Sequence, residues 1–96
     1  MPWLPEMEMI DQLIGGDLPL TAVSRLFDSD ERARKVVGLY LGKGIVVFIR
    51  QESTMPSWES LAMLRNPEPL ERHEHVRVSL TDYGARAFES GAWHAT

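Results

Sequence analysis

LYLGKGIVVFIRQ, residues 39–51, runs from an apolar stretch with helical spacing, across two glycines that bracket a lysine, into five consecutive apolar residues. Gly42-Lys43-Gly44 is either a loop that cradles a phosphate or a corner where a helix stops and a strand begins. A phosphate loop needs a strand first, then a glycine-rich turn, then a helix whose N-terminus faces the anion. Here the order is reversed, and the Lys-Ser or Lys-Thr ending of such a loop is missing. A helix C-terminus presents carbonyls, which repel phosphate. The glycines therefore read as a corner, with one of them in a left-handed conformation.

Upstream of the corner, Ser29 is placed to cap a helix whose first turn holds Asp30 and Glu31. Ala33, Val36, Val37, Tyr40 and Leu41 fall on one face of it. Pro5 opens an earlier helix with a stripe of Met7, Ile10, Leu13 and Ile14, which leaves Met9 off the stripe and ends at Gly15-Gly16. Asp17-Leu18-Pro19 reads as a connector, and Thr21 as the cap of a short second helix carrying Val23, Leu26 and Phe27.

Downstream, Ile45 to Arg50 reads as a strand, being β-branched and aromatic. Residues 51–74 form a long polar connection in which Ser57 to Leu64 has room for a turn or two of helix. Its Met55, Trp58, Leu61, Met63 and Leu64 are too apolar for a solvated tip and are expected to fold back on the core. Val76, Val78 and Leu80 alternate with Arg77 and Ser79, a half-buried strand. Thr81 then caps a last helix through Tyr83, Ala87 and Phe88.

In this order the chain resembles a winged helix-turn-helix domain of the MarR- and PadR-like regulators. The run SRLFDSDERARKVVGLYLGKGIVV, residues 24–47, is similar to the second and third helices, and Leu41 to Val46 fits a Leu-x-x-Gly-Ile-Val ending. VRVSLTDYGARAF, residues 76–88, is similar to the second wing strand and its following helix, with Leu80, Thr81 and Gly84 matching Leu-Thr-x-x-Gly. The resemblance implies an α+β fold: three helices, a two-stranded wing hairpin with a long connection at 51–74, and a C-terminal helix. It also implies a transcriptional regulator that lays the third helix in the major groove of duplex DNA and dimerises through its terminal helices.

Composition bounds these expectations. The 96 residues, 44% hydrophobic and 25% charged, fit one globular domain over residues 1–96. There is no cysteine, so disulfides and thiolate metal sites are excluded. The longest apolar run, Ile45 to Ile49, is too short to span a bilayer, and MPWLPEMEM lacks the order of a secretory leader. A reducing cytoplasm is the expected compartment. Neither a catalytic triad nor a carboxylate pair is legible, so no enzyme activity and no cofactor are expected. His73-Glu74-His75 lacks the further ligands that a stable metal site needs.

The net charge of −4 argues against nucleic acid, but it is unevenly spread. Arg25, Arg32, Arg34, Lys35, Lys43 and Arg50 face only Asp28, Asp30 and Glu31 between residues 25 and 50, making that segment +3 and the rest −7. Ser29, Arg32, Arg34, Lys35, Lys43, Arg50 and Arg72 are thus the candidate DNA contacts. Glu31, four residues before Lys35, offers that lysine an ion pair instead. An outward Leu39 and the connection's Trp58 fit the alternative, a protein-interaction module that binds no DNA. Trp3, Leu4, Met7, Met9, Phe88 and Trp93 offer apolar area at the ends for a homodimer.

Overall fold

The computed structural model describes residues 4–66 and 68–90. Among them are five α-helices and one four-stranded antiparallel sheet. The order is α1 (Pro5–Ile14), β1 (Leu18–Pro19), α2 (Leu20–Arg25), α3 (Asp30–Gly42), β2 (Val46–Arg50), β3 (Ser53–Thr54), α4 (Ser57–Arg65), a 3-10 turn (Leu70–Arg72), β4 (Val76–Leu80) and α5 (Asp82–Ser90). The strands lie in the order β1-β4-β2-β3.

Pro5 takes the first helical position of α1, where its missing N–H costs nothing, and Glu6 and Glu8 lie at the positive end. The buried face of α1 is Met9, Ile10 and Leu13, while Ile14 is 52% exposed. The expected stripe is therefore rotated, and Met9 is fully buried. The packing of α1 on β4 sets the direction the helix faces, overriding the tally of apolar positions. Leu18 and Pro19 are not a connector: they pair with Val78 and Arg77 as an edge strand, where a proline without a donor is tolerated. Thr21 does not cap α2, which begins at Leu20 with no side-chain cap; its carbonyl accepts the Ser24 hydroxyl at 2.8 Å.

β2 and β4 pair over their full length, from Val46 opposite Leu80 to Arg50 opposite Val76. Val46, Phe48, Val76 and Val78 point into the core, with Arg77 outside. The expected two-stranded wing is incomplete, because β2 turns back at once into β3, pairing Ile49 with Thr54 and Arg50 with Ser53. The two turn residues, Gln51 and Glu52, have φ of 53° and 64°. A two-residue hairpin turn of this kind needs positive φ at both positions, and Asn or Gly normally supplies it.

At the C-terminus of α3, Gly44 N donates to Leu41 O at 3.2 Å and Ile45 N to Tyr40 O at 2.9 Å. With Gly44 at φ 75°, this is the Schellman ending that the glycine corner foretold. The start of α5 locks onto the same corner. Thr81 N donates to Ile45 O at 3.0 Å, and the Thr81 hydroxyl lies 2.6 Å from Gly44 O and 3.0 Å from Ile45 O. That hydroxyl also accepts from Gly84 N at 2.9 Å. A Cβ on Gly84 would overlap the Ile45 carbonyl, so the Leu-Thr-x-x-Gly pattern has a steric cause. Tyr40, Ile45, Gly84, Phe88 and Ile10 enclose a small apolar gap behind this corner. Burial, and after it the Glu6 carboxylate, raises the Tyr40 phenol above its ordinary pKa.

Candidate functional site

The surface of α3 is divided by what packs on it. Ser29 is its N-cap, with Oγ accepting from Arg32 N at 3.1 Å, so its first task is structural. Ala33, Val37, Tyr40 and Leu41 face the core. The long connection occupies one outer flank. Gly38 sits beneath Leu64 and Leu61, which lie 3.7 and 3.9 Å from where its Cβ would be. Arg34 meets residues 64–68 while Gly38 meets residues 61–64, so α4 runs antiparallel to α3.

Arg34 is not a free basic residue. Its guanidinium donates to Leu64 O at 2.6 Å and also to Asn66 O and Glu68 O. It thereby takes up carbonyls that the end of α4 leaves without intrahelical donors. Asp30 works beside it: its Oδ2 accepts from Leu70 N at 3.1 Å and lies 3.9 Å from Arg34. Arg50 is also engaged, 2.6 Å from Glu59 on α4. Arg34 thus holds the connection in place, whereas the Arg50–Glu59 pair is an exposed one. The connection accordingly buries Met55, Ser60, Leu64 and Leu70 and half-buries Leu61 and Met63. Trp58 is the exception to the expected fold-back, at 74% exposed.

Among the described residues, the opposite flank of α3 is left open. Arg32, Lys35 and Lys43 are exposed, with no ion pair among the described residues. Glu31 is exposed as well and does not pair with Lys35. Leu39 stands outward at 54%. Arg72 is exposed on the 3-10 turn that packs against α2. Arg25, absent from the sequence-derived candidates, borders a hollow together with Arg32; its sequence signal was the local excess of positive charge.

At the chain ends, Trp3 and Trp93 lie outside the described residues. Met9 is used by the chain's own core, and Phe88 packs against it. His73 Nε2 is buried with no hydrogen bond among the described residues, and no group of three metal-ligating side chains is found among them. No helix among the described residues is long and apolar enough to cross a membrane. Comparison with family models, curated proteins and solved structures gives no significant match.

Proposed function

We propose that the chain is a winged helix-turn-helix domain that binds duplex DNA along the open flank of α3. The topology supports this: a helix, a short strand, two helices joined by a four-residue turn, then a hairpin whose strands pair in the order β1-β4-β2. In a DNA-reading domain of this shape the second helix of the pair enters the major groove by its N-terminal part. The observation that carries the proposal is that Arg32 and Lys35, in the first half of α3, stay exposed and unengaged while Arg34 on the other flank is tied down. Lys43 extends the same exposure to the far end of the helix. Arg34, committed to three carbonyls, is dropped as a contact. The open flank carries no Asn, Gln, Ser or Thr, so its contacts are those of Arg32, Lys35 and Lys43, with the phosphate backbone or a guanine edge.

The test is fluorescence anisotropy of a labelled generic duplex titrated across a salt series. Three phosphate contacts predict a slope of log affinity on log salt of about −3. Absence of binding at the lowest salt removes the proposal.

A second reading has its own observation: Leu39 and Trp58 are large, apolar and exposed. Trp58 lies in the first turn of α4 and Leu39 on the flank of α3 that α4 leaves uncovered. A protein partner anchored on Trp58 would make it a dominant contact; in this reading the chain binds no duplex DNA, and Trp58→Ala abolishes binding of the partner.

A further inference from the structure

Two hollows flank the N-terminal turn of α3, and they differ in chemistry. One, of about 380 Å³, is bordered by Asp30, Glu31, Arg34 and Arg65, along with α4 residues. Its Arg34 is committed to three carbonyls, and two carboxylates share the rim. The other, of about 580 Å³, opens between the end of α2 and the start of α3 and is bordered by Arg25, Arg32, Asp28, Leu26, Phe27 and Pro5. Arg25 and Arg32 are exposed and make no ion pair among the described residues.

We propose that this second hollow seats the sugar–phosphate backbone of a nucleic acid, with Arg25 and Arg32 gripping one phosphodiester from two sides. The proposal rests on the DNA-binding function above and names where the backbone lies.

Three features fit that ligand. A guanidinium presents a planar fork of donors that matches phosphate oxygens, and two of them border the hollow. Asp28 opposes an anion, but one carboxylate against two guanidiniums leaves the rim net positive. The wall is also part apolar, through Leu26 and Phe27, which suits a sugar carbon skeleton beside a phosphate better than a free inorganic ion. α4 covers the Gly38 flank of α3, and the hollow shares Arg32 with the flank that α4 leaves uncovered.

The experiment compares duplex-DNA anisotropy of the wild type with Arg25→Gln, Arg32→Gln and, as a control at the other hollow, Arg65→Gln. All three arginines are exposed, so these changes are expected to leave the fold intact, and circular dichroism checks this. Arg25→Gln and Arg32→Gln should each weaken binding several-fold and reduce the salt slope by less than about 1, since they share one phosphate, and Arg65→Gln should leave both unchanged. Wild-type affinity in Arg25→Gln, with Arg32→Gln weakened and the wild type binding normally, overturns the hollow and leaves the DNA-binding function standing, whereas wild-type affinity in both variants also removes Arg32 from the contacts along α3. An equal loss in all three variants overturns the hollow as well, because the attraction would then be spread over the surface. Failure of the wild type itself to bind at low salt removes both.

Discussion

The two ends of α3 are held by different kinds of chemistry. At the C-terminus the fastening is made of main chain: a Schellman ending at Gly44, and the Ile45 carbonyl pressed against Gly84 with Thr81 bridging them. Toward the N-terminus it is made of side chains reaching far along the sequence. Arg34 binds carbonyls that begin 30 residues later, and Asp30 binds an amide 40 residues later. A fastening made from backbone demands particular residue types, and those leave a mark in the sequence. A fastening made from an arginine and distant carbonyls demands nothing of the residues it grips. In the sequence Arg34 looks like any exposed helix charge.

The contrast predicts that the connection belongs to the core as firmly as the sheet does. Leu70 is fully buried, and Leu70→Ala should cost about 3 kcal/mol in urea denaturation. A loss below about 0.5 kcal/mol, the range of ordinary surface changes, would mean that the connection is a detachable wing. At the other end, Gly84→Ala should lose about 2 kcal/mol, because the clash with the Ile45 carbonyl outweighs alanine's helix preference. Gly42→Ala, with open space around its Cβ, should instead gain about 0.5 kcal/mol. Matching effects at the two glycines would break the steric explanation of the motif.

Arg34→Ala should cost about 1.5 kcal/mol and speed amide exchange at Leu70. Arg34→Lys should recover little, since one ammonium cannot span three carbonyls as a fork does. Full recovery by lysine would show that only charge matters there. A smaller effect separates the corner from its surroundings by pH. The Tyr40 phenol titrates above its ordinary 10.0 in the folded chain, so the unfolded chain gives up that proton first. This contribution is complete below pH 10 and falls as the pH rises from there through the folded value. Tyr40→Phe should remove that alkaline loss in a stability–pH profile. The smallest effect is expected at the exposed Arg50–Glu59 pair, where Arg50→Ala should change stability by less than about 0.5 kcal/mol.

Most of the frame was legible in the sequence: Pro5, Ser29, the glycine corner and Thr81 each mark an element boundary. The β3 hairpin was hidden because Gln51 and Glu52 adopt the left-handed conformation without being Gly or Asn. β1 was hidden because a two-residue edge strand with a proline has no periodicity to detect. Met9 was misplaced because α1 turns toward β4 for tertiary reasons. At the candidate site, the local concentration of basic residues was legible. Their division into engaged and open flanks was not, since it follows from where α4 packs.

The most direct test of the central claim, that the connection is a built part of the fold closing one flank of α3, is native-state amide hydrogen exchange. The Ser60 and Leu70 amides, one inside α4 and one held by Asp30, should exchange within about tenfold of those of Val47 and Ile49 in the β2–β4 ladder. Exchange at Ser60 and Leu70 faster by about a thousandfold would contradict it. The connection would then open independently, and Arg34 would become available on the surface of α3.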